Sequence, residues 1–331
     1  MIAVMIIPTG IGCEIGGHAG DATPAARLIG SCCDKLILHP NVVNASDINE
    51  MPENALYVEG SMLDRFLLGG IQLKEVKQNK ILVVVNKPVR AETVNAVNAS
   101  RVTLGIDAEI MELENPLRMI GKIKGGCAVG DAFGCDELIE QVSGCEFDAL
   151  AITSLIEVSR DTAKKYFKSG GVNPWGGVEA MLSRFISTRI NKPVAHAPIQ
   201  PKEVIDEERN KEWDFVCDGR MAPEIISNCF LHSVLKGLHR APRIGYEIKN
   251  DDVDVMISPA DCWGAPHKAC VQNGIPIIEV MENKTIYSKG LNNDQTIRVE
   301  NYLEAAGMLS CMRAGIMPES VRRPLSKTKI R

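Results

Sequence analysis

Residues 1–44, MIAVMIIPTGIGCEIGGHAGDATPAARLIGSCCDKLILHPNVVN, decide the fold. Positions 2–7 are an apolar run long enough for a buried strand, and Pro8 stops it. Gly10, Gly12, Gly16, Gly17 and Gly20 then fall within eleven positions, where backbone turns sharply or approaches something closely. Asp21 is placed to cap a helix over 22–31, with Pro24 tolerated in its first turn. Positions 35–38 form a second strand that delivers His39 and Asn41 to its carboxyl end. In open α/β sheets ligands sit outside the carboxyl ends of the strands, so this unit points to a small-molecule site.

The same alternation continues downstream. Strands are expected at 80–86 (KILVVVN), 107–113, 148–154 (DALAITS), 193–196, 254–258 and 275–280. Helices are expected at 91–104, 136–142, on both sides of SGGVNPWGG (169–177), and at 222–238, 266–272 and 300–314. Residues 121–136 read as a glycine-rich surface loop, and 198–213 as a charged excursion or lid. The pattern predicts an α/β fold, a mostly parallel sheet with helices on both faces. An echo between VMIIP (4–8) and VMISP (255–259) suggests two Rossmann-like half-units. The expected division is 1–120 and 121–331, two lobes sharing one crevice, or else a single domain.

With 45 % apolar and 24 % charged residues, the 331-residue chain has an ordinary globular composition. A net charge of −5 and 5 % aromatic residues argue against nucleic acid and anionic membrane as partners. The opening lacks a basic n-region, and no stretch nears the roughly 20 apolar residues of a membrane span. A cytoplasmic location is therefore expected, with a small-molecule substrate; helices on both faces would also allow a homodimer. Eleven cysteines, odd in number and without a C-x-x-C pair, do not read as a disulfide framework.

The strand ends supply the candidate site residues. The first gives Thr9, Gly10 and Cys13, and the second His39 and Asn41. Further along come Asn86, Ser154 after Thr153, His196, then Asp261, Cys262 and His267, and finally Glu282 and Asn283. Three of the six histidines thus end on one expected rim, which can hold an acid, a base and donors for an oxyanion. Gly10, Gly12, Gly16 and Gly17 would bind an anion through their N–H groups. Their spacing also has the outline of a dinucleotide fingerprint, which makes NAD(P) the alternative to a cofactor-free site. His39 stands where such a site would have an acid for the ribose, and Pro8-Thr9 separate strand from glycine.

In ADCWGAPHKAC (260–270), Cys262 precedes a helix start, with His267 as its base and Asp261 to orient the ring. As zinc ligands, Cys262, His267 and Cys270 have an unfamiliar spacing, so no metal is expected. Cys13 facing Cys262 would resemble the two-thiol arrangement of cofactor-independent amino-acid racemases. Arg220, in DGRMAPE (218–224), is available to a carboxylate or phosphate, although DG also reads as a plain turn. Trp175 is a candidate lip over the substrate.

PTGIG with IGGHAGDATPAARL, HPNVVNASDINEMPENALYVEG, NPWGGVEA, AHAP and the terminal VENYLEAAGMLSCMRAGIMPESVRRPL resemble a bacterial family known only as a domain of unknown function. The resemblance covers nearly the whole chain and implies no activity. It carries His39, Asn41 and the first glycines better than the two thiols. The expectation is a cofactor-independent enzyme that moves a proton on a small anionic metabolite: an isomerase, racemase or lyase. An NAD(P)-dependent oxidoreductase and a non-catalytic metabolite-binding protein are the alternatives.

Overall fold

The computed structural model describes every residue except 19, 200–219, 221–228, 287–295, 329 and 331. Six strands build the first sheet: β1 (Ile2–Met5), β2 (Lys35–Leu38), β3 (Ala55–Tyr57), β12 (Val253–Ala260), β13 (Ile277–Lys284) and β14 (Thr296–Val299). Their spatial order is β14-β13-β12-β1-β2-β3, and every pairing is parallel. Counted within this sheet the order is 3-2-1-4-5-6, the doubly wound arrangement, with its switch point between β1 and β12. The echoed segments are these two neighbours, with Val4 opposite Met256. They lie side by side in one sheet, and each opens one of its two three-strand halves at the switch point.

Helices α1 (Thr23–Gly30) and α9 (Tyr302–Ala314) cover one face of this sheet, and α2 (Gly60–Leu67) and α8 (Ala265–Gln272) the other. Alternation along β1 divides the burial. Ala3 and Met5 pack with Ile29 and Leu309, whereas Val4 meets Phe66 and Met256. Asp21 does not cap α1: its Oδ1 turns back to accept from the N–H groups of Gly16 and His18, at 3.0 and 3.4 Å.

Between β3 and β12 the chain builds a second sheet from β5 (Lys80–Asn86), β6 (Asp107–Leu113), β7 (Arg118–Lys124), β8 (Cys127–Phe133), β9 (Ala149–Glu157) and β10 (Val194–Ile199). Strands β6, β5, β9 and β10 pair in parallel, and the antiparallel β7–β8 hairpin joins the end of β9 through Met119 and Ile120. Helices α4 (Cys135–Val142) and α6 (Gly176–Ile190) cover one face, α3 (Ala91–Leu104) and α7 (Phe230–Arg240) the other. Helix α5 (Arg160–Ser169) precedes α6. A short antiparallel pair, β4 (Leu73–Lys74) with β11 (Arg243–Ile244), stands where the chain leaves the first sheet and where it returns.

The expected division at residue 120 does not follow the sheets. β5 and β6 pair with β9, and 253–299 return to the strands of the amino terminus. The expected loop at 121–136 is largely the β7–β8 hairpin. Its glycines belong to packing: a β-carbon on Gly130 would stand 2.2 Å from the Ile120 carbonyl oxygen, and one on Gly121 2.6 Å from that of Pro174. Strands β3 and β14 had no counterpart in the sequence reading. Of the expected helix at 222–238, residues 222–228 lie outside the described residues, as does the expected lid from 200 onward and most of DGRMAPE.

Candidate functional site

A cavity of about 870 Å³ opens at the switch point, lined by the carboxyl ends of β1, β2 and β12 and by α6 and β10 of the second unit. Thr9, Gly10, Gly12, Gly16 and Gly17 line it, as do His39, Asn41, His196, Asp261, Cys262 and His267. Most of the expected rim is therefore one surface.

Asn41 fastens β2 to the first turn. Its side-chain amide donates to Thr9 Oγ1 at 2.9 Å and the Pro8 carbonyl at 3.2 Å, and its backbone N–H donates to His39 Nδ1 at 3.2 Å. With Nδ1 accepting, a neutral His39 carries its proton on Nε2. Burial pulls its pKa down to about 4, so the ring is neutral at ordinary pH. Nε2 lies over Gly60, 2.9 Å from where a β-carbon on that residue would stand.

The residue before Gly60 was missed by the sequence reading. Glu59 follows β3, lines the cavity and is 7 % exposed. Its Oε1 has no hydrogen-bond partner. Burial pushes its pKa up to about 8, against a hydrogen bond with Tyr57 that lowers it. No signal drew attention to it, because ALY is only three residues long within a segment that reads as polar. Asp64 and Arg184 were missed as well. They line the cavity from α2 and α6 and pair at 2.6 Å, linking the two units. Burial raises the Asp64 pKa although Arg184 opposes the shift.

His267 is held like His39. Its Nδ1 accepts from the Gly264 N–H at 3.2 Å, while Nε2 lies 2.8 Å from Ser258 Oγ and 3.6 Å from Cys262 Sγ. Nε2 thus carries the proton, and burial lowers the ring's pKa to about 4. In this tautomer His267 donates towards Ser258 and Cys262 and is not a base for the thiol, contrary to the sequence reading. Burial pushes the Cys262 thiol up to about 11. Asp261 does not orient His267 through a hydrogen bond either: its N–H donates to Glu279 Oε1 and its carbonyl accepts from Thr285 Oγ1.

Cys13 packs in the core of the first sheet. It bridges to Thr285, does not line the cavity, and burial raises its pKa further, with Cys262 and Asp21 adding to the shift. Two protonated, buried thiols are poorly suited to exchange a substrate proton at neutral pH. The other expected contacts are backbone clamps. Asn283 accepts from Ile15 N–H and donates to the Ile15 carbonyl, both at 2.8 Å, and also donates to the Tyr302 hydroxyl. Asn86 pairs the same way with Leu117, and Glu282 accepts from Tyr302 N–H. None of these three lines the cavity. Arg220 is exposed and donates to the Glu14 carbonyl. Trp175 is no lip: it packs on Tyr166 and Phe167. Cys270 contacts Met256 Sδ at 3.6 Å.

Across the cavity, His196 Nδ1 lies 2.9 Å from Glu179 Oε1 and its Nε2 2.9 Å from Ser154 Oγ. Ser154 stands behind His196, outside the lining, and orients the ring. The loop amides divide into two sets. Asp21 takes those of Gly16 and His18, whereas those of Gly10, Ile11, Gly12 and Gly17 donate no hydrogen bond among the described residues. These four residues line the cavity and offer N–H groups to a ligand oxygen.

Fold and cavity define a doubly wound α/β protein with a cavity at its switch point, walled on one side by a second α/β unit. The chain belongs to the DUF3326 family, proteins of unknown function, whose model matches residues 2–322. It is also 33 % identical over 345 residues to a protein of Synechococcus sp. named an uncharacterized lipoprotein; the match covers 97 % of this chain and 93 % of the relative. No helix among the described residues is long and apolar enough to cross a membrane.

Proposed function

We propose that the protein is an enzyme that moves a proton at a carbon beside a carbonyl group, on a small metabolite anchored by an anionic group. The observation that carries the reading is Glu59: a buried carboxyl with an unpartnered oxygen and a pKa raised to about 8, in one cavity with a neutral histidine. A carboxyl tuned into this range suits a general base, and a neutral imidazole N–H can donate to an oxygen on which charge develops. In this mechanism the ionised form of Glu59 takes the proton, His39 Nε2–H donates to the carbonyl oxygen, and the Gly10–Gly12 amides hold the anionic group. The chemistry needs no cofactor, which makes isomerase, racemase and lyase the reaction classes.

The test is solvent exchange. The protein is incubated in D2O with a panel of small carboxylates and phosphates, and nuclear magnetic resonance follows loss of the proton beside the carbonyl. Wild type is expected to exchange at least one compound, and Glu59→Gln to do so roughly 100-fold or more slowly. Exchange by the variant at the wild-type rate, or by neither protein on any compound, rejects the proposal.

A nicotinamide-dependent oxidoreductase is the second reading, favoured by the 3-2-1-4-5-6 strand order. Against it, the Asp21 carboxylate already occupies amides that would receive a pyrophosphate, and His39 follows β2 where an acid for the ribose would stand. Thermal stabilisation by NAD(P)H would favour this reading over proton transfer.

A further inference from the structure

We infer that the ligand of this cavity is a zwitterion of the α-amino-acid type, with its carboxylate on the Gly10–Gly12 amides and its ammonium group beside Asp261. The inference rests on the same site as the proposed function and adds the class of compound that fills it. It does not depend on the reaction.

Among the described non-glycine residues, only Asn191 and Asp261 have positive φ. Asn191 is an ordinary helix C-cap. Asp261 caps no helix and leaves the end of β12 with φ of +58°. Its backbone is held at both ends, by Glu279 and by Thr285, while its carboxylate has no hydrogen-bond or ion-pair partner among the described residues. A left-handed backbone that presents an unpaired acid to a cavity is the kind of outlier that marks a ligand contact. The second, independent observation is Glu59, whose 7 % exposed side chain leaves Oε1 without a partner in the same cavity.

Charge then selects the ligand. Arg184 is the one lysine or arginine among the described lining residues, and Asp64 takes it. Asp261 remains unpaired, Glu179 lies 2.9 Å from His196 Nδ1, and Glu59 adds a further carboxyl that holds its proton to about pH 8. A sugar phosphate would bring about two more negative charges to this surface, where Coulomb repulsion is weakly screened. A zwitterion brings none. Its ammonium answers the unpaired carboxylate, and its own carboxylate fits the unpaired amides of the first turn.

The test is calorimetry and thermal denaturation of the full chain with matched probes: alanine against lactate, aspartate against malate, glutamate against 2-hydroxyglutarate, each as both enantiomers, with fructose 6-phosphate as the phosphate arm. At least one amino acid is expected to bind ten-fold or more tightly than its hydroxy acid. Asp261→Asn should remove that preference, and asparagine tolerates the left-handed backbone as aspartate does. Equal binding of the hydroxy acid, preference for the phosphate, an unchanged preference in the variant, or no binding by any amino acid would each overturn the inference. Amino-acid binding without solvent exchange would leave the inference standing and reject proton transfer. Exchange on a carboxylate that lacks an amino group would do the reverse.

Discussion

The imidazole of His39 lies against Gly60, so closely that a β-carbon there would stand 2.9 Å from Nε2. The contact places the proposed hydrogen-bond donor beside the residue that follows the proposed base. Gly60 opens α2, where alanine would gain roughly 0.5–1 kcal/mol of helix propensity over glycine. Gly60→Ala is therefore expected to leave stability within about 1 kcal/mol of wild type while pushing the His39 ring aside. Solvent exchange on any compound the wild type exchanges should slow by roughly ten-fold or more. Urea titration and the exchange rate, measured together, check both halves.

Glu59 makes stability depend on pH in a defined direction. Its pKa is 4.5 when unperturbed and about 8 in the fold, so the native state holds the proton more tightly. The contribution is fully present below pH 4.5 and is lost as pH rises through about 8, an effect on the order of a few kcal/mol. Glu59→Gln keeps a neutral group at every pH. The variant should match wild type near pH 5 and melt at a higher temperature near pH 9. Melting curves across this range test it; parallel curves for the two proteins count against a buried, protonated Glu59.

Cys262 should be chemically quiet. It is 2 % exposed, and a pKa near 11 leaves a thiolate fraction roughly 100-fold below that of an ordinary thiol at neutral pH. Exposed Cys229 is the internal reference. Under native conditions a thiol reagent should modify Cys229 quickly and Cys262 only on unfolding, as mass spectrometry of the digested protein would read. Cys262→Ala should likewise keep exchange within a few-fold of wild type.

The sequence made strand ends legible because each buried strand is a sharp apolar run with a proline, glycine or polar stop. The bounds of β5, α3 and β6 are those read from the chain. The same logic brought His39, His196, Asp261, Cys262 and His267 to one cavity. It failed where the deciding interaction is distant. Nothing local in 253–299 says that these strands return to β1, or that 80–157 leave it. Glu59 was hidden by the shortness of β3, and the β7–β8 hairpin by glycines that serve close backbone packing. Asn86, Glu282 and Asn283 show a different limit. A polar side chain at a strand end looks the same whether it holds a ligand or a neighbouring loop.

Asn283 shows what that second role contributes. Its amide pairs with both backbone groups of Ile15 and donates to the Tyr302 hydroxyl, so one side chain fixes the glycine turn from β13 and ties it to α9. The residue is fully buried, and alanine would break three hydrogen bonds and strand the partners. Asn283→Ala should cost roughly 2–4 kcal/mol, read as a lower urea midpoint. Because the turn carries the Gly10–Gly12 amides, the variant should also bind anionic ligands more weakly, even at temperatures where it remains folded. Asn41→Ala acts on the same turn from the other side, through Thr9 and Pro8, and removes no backbone group from the His39 bond. It should therefore weaken ligand binding with a smaller loss of stability than Asn283→Ala. Equal stability losses for the two variants would mean that the turn is held evenly from β2 and β13, and not chiefly by the buried amide of Asn283.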